Sequence, residues 1–160
     1  MSDYIYIGKE NIDSEHICCA IGNDEANTQR VNCKKCWMKD MYKDGLRFYR
    51  LNERGKIFVE YIPAKNGWKP IKADGYMLIN CLWVSGRFQK QGHAKKLMDK
   101  VVEDTKKDGL DGICVVTSKS KKPFLTEKKF YEHHGFEVVD EADPYFVLMV
   151  KKFNKDAQDP

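Results

Sequence analysis

The segment from residue 76 to residue 108 constrains the fold more than any other part of the chain. An apolar run, Tyr76-Met-Leu-Ile-Asn-Cys-Leu-Trp-Val84, is followed by Gln89-Lys-Gln-Gly-His-Ala94 and then by a helical pattern. The run is typical of a buried strand, and the glycine-containing segment predicts a tight turn that opens a helix. Unpaired N–H groups and the helix dipole attract anions to such a helix start. The sequence therefore predicts a phosphate site at which Gly92 lets the backbone approach the ligand.

The helix that follows this turn has a one-sided apolar stripe. We predict it over Lys90–Asp108, with Gly109 as its stop. Apolar residues recur at the i, i+3, i+4, i+7 and i+8 positions of an amphipathic helix, and the opposite face is charged. The stripe consists of Ala94, Leu97, Met98, Val101 and Val102. It predicts a helix that packs along a sheet, with its N-terminus at the end of the preceding strand.

Two motifs in this half of the chain resemble those of one enzyme family. The spacing Gln89-x-x-Gly92-x-Ala94 resembles the coenzyme A pyrophosphate loop of the GNAT (GCN-related) N-acetyltransferases, written Arg/Gln-x-x-Gly-x-Gly/Ala. Phe130-Tyr131-Glu-His-His-Gly135-Phe136 resembles the later motif of that family, an apolar residue and Tyr on a helix before a Gly-Phe strand start. The motifs stand in the family's order, joined by helix, strand and helix. The chain is therefore identified as a member of the GNAT family, most strongly from about Gly75 to Phe153.

The resemblance implies an α/β fold, the GNAT acyl-CoA N-acyltransferase fold, with a mixed, mostly antiparallel sheet and helices on both faces. The order of predicted elements agrees with a layered α/β arrangement. We predict strands at Tyr4–Ile7, Leu46–Glu53, Lys56–Pro63, Gly75–Gly86, Gly112–Thr117, Glu137–Asp140 and Tyr145–Phe153, and further helices at Asn11–Ile21, Thr28–Tyr42 and from Pro123.

Five segments also look like the small YoaP-like branch of bacterial GNAT proteins. They are Ser14-Glu-His-Ile-Cys-Cys-Ala-Ile21, Glu60-Tyr-Ile-Pro-Ala64, Ala73-Asp-Gly-Tyr76, Cys81-Leu-Trp-Val-Ser-Gly86 and Lys121-Lys-Pro-Phe-Leu125. This branch implies an N-acetyltransferase whose acceptor its name does not assign. In the family generally, the first two helices and their loop shape the acceptor site. The acidic residues expected there, such as Glu15 and Asp24, favour a cationic amine.

Composition limits the partners of the chain. Its 160 residues fit one domain, which we predict over residues 1–153, with a frayed polar tail at 154–160. A net charge of +4 suits a small anionic ligand and falls short of a nucleic-acid footprint. There is no apolar run that would span a bilayer and no signal peptide pattern, so we expect a cytoplasmic protein without a membrane partner. The sequence leaves open whether the chain forms a homodimer.

By resemblance, the coenzyme lies where two parallel central strands, Met77–Ser85 and Ile113–Thr117, part. Acetyl-CoA is then the cosubstrate, and no metal is implied. Backbone groups of Leu82, Trp83 and Val84 would bind the pantetheine arm. The pyrophosphate would be held by the loop that Gln89 opens, through the amides of Gln91, Gly92, His93 and Ala94.

The reaction such a site supports is direct acyl transfer in a ternary complex, from the thioester to a primary amine of a small molecule or peptide. The amine must be neutral, the oxyanion needs a donor, and the leaving sulfur needs a proton. Tyr131 matches the position of the family's general acid. A phenol titrates near pH 10, so it is protonated at neutral pH and able to donate. The alternative is that Tyr131 is only a packed helix residue.

The general base has no clear sequence signature. Glu60, within a predicted strand, is the first candidate, although a carboxylate there is more often simply solvated. Asp74, Glu127, His133 and His134 are further candidates, and water alone is another.

Two other functions stay open. The chain would be a non-catalytic acyl-CoA-binding or regulatory module if the fold were kept without the chemistry. It would be a zinc or thiol protein if its N-terminal cysteines formed a site. Those cysteines are Cys18, Cys19, Cys33 and Cys36. The segment that contains Cys18 and Cys19 and the segment that contains Cys33 and Cys36 also fit amphipathic helices, in which a small apolar residue needs no metal.

Overall fold

A computed structural model describes residues 4–17, 24–53, 55–67, 69, 71–120 and 128–160. The strands in this part of the chain are β1 (Tyr4–Tyr6), β2 (Arg47–Leu51), β3 (Ile57–Pro63), β4 (Tyr76–Val84), β5 (Gly112–Ser118), β6 (Glu137–Ala142) and β7 (Phe146–Lys152). The helices are α1 (Glu25–Met41), α2 (His93–Lys107) and α3 (Lys128–His133). The predicted helix start at Pro123 lies outside the described residues.

The strands form one seven-stranded sheet in the order β1-β2-β3-β4-β5-β7-β6. Only the central pair β4 and β5 is parallel, and every other neighbouring pair is antiparallel. Helix α2 crosses between the two parallel strands, as a parallel connection requires. The expected mixed, mostly antiparallel sheet is thereby confirmed.

Helices cover both faces of the sheet. The largest apolar cluster lies on the face that α2 and α3 cover, and it joins Leu97 and Met98 of α2 to Tyr131 of α3. On the other face, Met38 of α1 packs over the β2–β4 half. There Phe48 and Phe58 stack with ring centroids 5.1 Å apart. The sheet therefore has an α2 face, which α2 and α3 cover, and an α1 face.

A β-bulge interrupts β4 at its centre. Glu60 of β3 lies opposite Cys81, while the next residue, Tyr61, lies opposite Ile79. Asn80 is consequently an extra residue without a partner in β3. A bulge of this kind bends the strand and increases its twist.

Past the bulge, the two parallel strands part. Strand β4 pairs with β5 only from Tyr76 to Ile79, although β4 continues along β3 to Val84. Strand β5 continues along β7 as far as Ser118. The carboxyl-terminal halves of β4 and β5 thus bound a gap in the sheet, at the edge where ligands gather in α/β folds.

The start of β5 requires a residue without a side chain. A Cβ atom at Gly112 would lie 2.3 Å from the backbone oxygen of Lys151 on β7. Because that atom belongs to the backbone of the neighbouring strand, it cannot move aside cheaply. Gly112 thus lets β5 lie flat between β4 and β7.

Helix α2 confirms the predicted stripe and is held at its far end by charged groups. Leu97, Met98 and Val101 are fully buried. Burial of each such side chain contributes about 1.5–3 kcal/mol. Two nitrogens of Arg47, on β2, bind the carboxylate of Asp108 at 2.7 and 3.0 Å. These contacts join the C-terminal end of α2 to β2.

The predicted helix at Asn11–Ile21 is wrong over residues 11–17, which form turns, and residues 18–21 lie outside the described part. The side chain of Asn11 competes for the backbone: its Oδ1 accepts from the N–H of Gly8, and its Nδ2 donates to the carbonyl of Tyr6. The buried Arg50 then ties the segment to β2. Its Nε donates to the carbonyl of His16 at 2.9 Å, and its guanidinium pairs with Glu15.

The polar tail is attached rather than frayed. The hydroxyl of Tyr76 donates to the carbonyl of Gln158 at 2.8 Å. Lys152 Nζ lies 2.6 Å from a carboxylate oxygen of Asp159 and donates to the carbonyl of Ala157. Residues 154–160 therefore fold back against β4 and β7.

Candidate active site

The loop between β4 and α2 has the geometry that an anion site needs. Lys90 and Gly92 both adopt left-handed backbone conformations, with φ of 62° and 81°. Gly92 is the N-cap of α2, and a Cβ atom there would meet nothing within 4 Å. The space in front of this residue is therefore open, and its conformation favours glycine.

The first N–H groups of α2 face this open space. The first intrahelical bond runs from the N–H of Lys96 to the carbonyl of Gly92. None of the described side chains caps the helix, and its first turn contains no acidic residue. The amides of His93, Ala94 and Lys95 are thus the orphan donors of the helix start, where the dipole adds positive charge.

Side-chain contacts hold the shape of the loop between β4 and α2. The hydroxyl of Tyr4, on β1, is hydrogen-bonded to Nδ1 of His93. Phe88 is buried in the core, and its ring meets that of His93 edge-on at 6.1 Å. Gln89 Nε2 donates to the carbonyl of Val84 at 3.3 Å, which ties the loop to the end of β4. The predicted loop residues are therefore brought together at one end of the gap.

The three residues predicted to bind pantetheine form the edge of the gap on β4. Leu82 and Val84 pack on the α2 face, and Trp83 packs on the α1 face. All three lie beyond Ile79, the last β4 residue in register with β5. In this stretch β4 stays in register with β3, whereas its register with β5 has ended.

Tyr131 belongs to the same apolar cluster as Leu82 and Val84. It is buried, and its ring packs edge-on against Phe130 and Phe136 at centroid distances of 5.2 and 5.3 Å. Its carbonyl accepts from the N–H groups of His134 and Phe136. Helix α3 ends at His133, and Gly135, two residues later, has a φ of 85°, the left-handed conformation that follows a helix stop. The Tyr131 side chain is thus packed on the face of the sheet that α2 covers.

Glu60 is a buried carboxylate in the middle of the sheet. It lies opposite Cys81, one residue from the bulge, and is 3% exposed. Oε1 lies 2.7 Å from Nζ of Lys34 on α1, yet it has no hydrogen bond of acceptable geometry among the described residues. We interpret the contact as an ion pair, because charge attraction depends on distance far more than on angle. The pair thus links a buried carboxylate beside the bulge to α1.

The other base candidates have weaker positions. Asp74 lies exposed in a turn before β4, and His133 is exposed at the end of α3. Burial, followed by the charge of Lys151, lowers the pKa of His134, whose ring packs against Phe130. Glu127 lies outside the described residues.

A cavity of about 360 Å³ lies beside the gap, between β5, β6 and β7. Its walls are mostly apolar, and Lys69, Asp140 and Glu141 contribute charged groups. Val116, another wall residue, is the first β5 residue beyond the pairing with β4. Sequence reasoning missed this cavity and Lys69, which lies in a segment without any periodic pattern.

The N-terminal acids were expected at the acceptor site, and the N-terminal cysteines were candidates for a zinc or thiol site. Glu15 pairs with Arg50, and Asp24 caps α1 through the N–H of Asn27, so both have structural partners. Cys33 and Cys36 are exposed on α1. Cys18 and Cys19 lie outside the described residues. Within the described part, no group of three or more potential metal ligands occurs.

Comparisons with known proteins agree with this geometry. The acetyltransferase (GNAT) domain family matches residues 44–138. An uncharacterized N-acetyltransferase YoaP of Bacillus subtilis (strain 168) is 50% identical over 157 residues, which are 98% of this chain. The chain spans 62% of the length of that relative. The resemblance to the YoaP-like branch is confirmed.

Solved structures show the same fold. The PaiA N-acetyltransferase of Thermoplasma acidophilum, in complex with coenzyme A, is 17% identical, with a TM-score of 0.61 over 96% of this chain and 100% of that chain. A putative streptothricin acetyltransferase of Bacillus anthracis str. Ames, in complex with acetyl coenzyme A, is 18% identical, with a TM-score of 0.53 over 68% of this chain and 62% of that chain. No described helix is both long and apolar enough to cross a membrane. By its match over residues 44–138, the chain belongs to the acetyltransferase (GNAT) family.

Proposed function

We propose that this chain is a single-domain N-acetyltransferase that moves the acetyl group of acetyl-CoA to a primary amine by direct attack in a ternary complex. The observation that carries the proposal is the gap between β4 and β5, which ends at the left-handed, open loop before α2. The chain's membership of the GNAT family supports it. Coenzyme A and acetyl coenzyme A, bound in the two solved relatives described above, are the ligands that this geometry suits.

In this proposal the backbone binds the coenzyme. The amides of Gln91, Gly92, His93 and Ala94 hold the pyrophosphate, in the loop that Gln89 opens. Backbone groups of Leu82, Trp83 and Val84 form hydrogen bonds with the pantetheine arm, and the arm takes the place of β5 beside β4. An N–H group of β4 near Trp83 and Val84 stabilises the oxyanion.

Tyr131 and Glu60 carry the proton transfers in this proposal. The amine enters from the cavity beside the gap, and Glu60 accepts its proton, directly or through water. Nitrogen then attacks the thioester carbon, the carbon–sulfur bond breaks, and the Tyr131 hydroxyl donates a proton to the leaving thiolate. A general acid or base at such a position contributes about 10²–10⁴-fold to the rate.

Glu60→Gln tests the base. The substitution keeps shape and burial, so we expect coenzyme binding to persist while kcat/KM for the amine falls about 10²-fold at neutral pH. The loss should shrink at high pH, because the solvent then deprotonates the amine. A constant loss at every pH would instead assign Glu60 a structural role through Lys34. Asp13→Asn, which breaks an exposed pair with Lys39, is the control and should leave the rate unchanged.

Thermal unfolding with acetyl-CoA, free CoA and ATP tests the coenzyme site. Ligands that bind the folded state raise the midpoint according to their occupancy, and a hundredfold excess over Kd should raise it by about 5–10 °C. We expect a rise with both CoA species and little change with ATP. A rise with acetyl-CoA but no turnover in an amine screen would indicate a non-catalytic module. No rise with either CoA species would overturn the proposal.

Cys81 reports on the reacting end of the coenzyme. This partly buried thiol lies next to the bulge, where the acetyl group should lie. We expect saturating CoA to slow its alkylation at least about tenfold, because bound ligand excludes the reagent. Cys33 and Cys36 are exposed on α1 and should react equally with and without CoA. Equal rates at Cys81 in both conditions would place the acetyl group elsewhere.

A further inference from the structure

The side chain of Lys69 reaches the point where the two parallel strands part. Its Nζ donates to the carbonyl of Asn80 at 3.3 Å. Asn80 is the extra residue of the bulge and pairs with neither β3 nor β5, so its carbonyl is available to a side chain. Lys69 also lines the cavity beside the gap. Its amine therefore lies between the cavity and the gap.

The proposed function places the thioester at this same point, where β4 and β5 part. The inference about Lys69 rests on that proposed function. The pyrophosphate loop follows the end of β4, so the pantetheine arm runs back along the strand from Val84 towards the bulge. The four residue steps from Val84 to Asn80 span about 13 Å of extended strand. The acetyl end of the arm then lies beside Asn80, and Nζ of Lys69 lies where the attacking nitrogen of an acceptor would lie.

The surroundings of Lys69 favour the neutral form of its amine more than water would. Burial lowers the pKa of Lys69, against weaker opposing effects of Cys81, Cys114 and Glu60. Among the described residues, no carboxylate lies within ion-pair distance of its Nζ. Of the two acids that share the cavity, Glu141 pairs with Lys119 at 2.6 Å, and Asp140 accepts from the N–H of Glu141.

We propose that Lys69 is a self-acetylation site, whose amine takes the acetyl group of bound acetyl-CoA when no acceptor fills the cavity. The neutral Nζ attacks the thioester carbon, so a carbon–nitrogen bond forms and the carbon–sulfur bond breaks. The nitrogen loses one proton to Glu60 or water, and the CoA thiolate takes one from Tyr131. The products are acetyl-lysine and free CoA. The acetylated side chain is neutral and longer, so it occupies the inner end of the cavity and competes with the acceptor.

Mass spectrometry of the intact chain tests this proposal without knowledge of the acceptor. Incubation with acetyl-CoA alone should add one acetyl group, and peptide mapping should place it on Lys69. Lys69→Arg keeps a long basic side chain whose guanidinium stays protonated and is a poor nucleophile, so it should remove this adduct. Lys72→Arg is the matched control, because Lys72 is exposed three residues further along and should not matter. Proximity of the bound thioester should make Lys69 react at least about tenfold faster than Lys72.

Acetyl phosphate and free CoA separate a site reaction from chemical acetylation. Acetyl phosphate should modify exposed lysines without preference for Lys69, and excess CoA should suppress only the reaction of Lys69 with acetyl-CoA. Adducts spread evenly over exposed lysines and insensitive to CoA would overturn the self-acetylation site. If acetyl-CoA raises the unfolding midpoint while Lys69 stays unmodified, only this inference fails. If acetyl-CoA does not raise it, the proposed coenzyme site fails as well.

Discussion

Gly92→Glu should abolish coenzyme binding while leaving the chain folded. A side chain at this position would meet no protein atom, so the fold has room for it. The left-handed φ of 81° costs an L-residue about 1–2 kcal/mol, which a whole domain tolerates. The new carboxylate would lie at the N-terminus of α2, among the amides that we assign to the pyrophosphate. It would bind them itself and repel a second anion.

The expected loss of CoA affinity is at least about 100-fold, since like charges brought together cost several kcal/mol. Calorimetric titration with CoA measures it. Gly109→Glu is a close control: Gly109 has a φ of 70° and an equally open Cβ position, but it lies just past the other end of α2. That variant should bind CoA normally. Normal binding by Gly92→Glu would mean that the phosphate loop lies elsewhere.

The elements that sequence predicted well are those whose patterns are local. The stripe on α2 and the loop before it depend on residue spacing within about 20 residues, and both are found in the structure. A charged residue within an apolar strand pattern also indicated a candidate site residue. Glu60 lies in the run Ile57–Pro63, and the structure places it beside the bulge.

The parts that sequence reasoning missed depend on contacts between distant segments. The helix predicted from Asn11 was wrong up to Ile17, because Asn11 bonds to local backbone groups and Arg50 binds the segment from β2. The bulge at Asn80 arises from the register of β3 against β4, which no pattern within β4 reveals. Lys69 had no sequence signature, since its position at the gap comes from the fold of the segment before β4.

Burial keeps the thiol of Cys114 from reacting. It lies on β5 at 0% exposure, and burial raises its pKa to about 12. At neutral pH it is therefore a protonated core thiol. Cys81, on the neighbouring strand, is only partly buried and lies beside the bulge. The contrast supports Cys81, rather than Cys114, as the probe of coenzyme binding.

Tyr131→Phe should lower kcat by about 10²–10⁴-fold and leave CoA affinity unchanged. The substitution removes one oxygen from a buried ring whose packing against Phe130 and Phe136 stays in place. In the proposed reaction the leaving thiolate then receives no proton from the enzyme. An interaction made only as the sulfur leaves affects kcat rather than the affinity for the ground state.

Steady-state kinetics with the best amine from the screen, together with CoA titration, measures both quantities. Tyr76→Phe is the control, because Tyr76 is likewise a buried residue, but its hydroxyl bonds to the tail carbonyl of Gln158, at the opposite end of β4 from the loop before α2. That variant should keep its kcat. If Tyr131→Phe weakens CoA binding and leaves kcat intact, Tyr131 binds the coenzyme and another group protonates the sulfur. If it changes neither, Tyr131 only packs the core, and the thiolate leaves without help from a general acid.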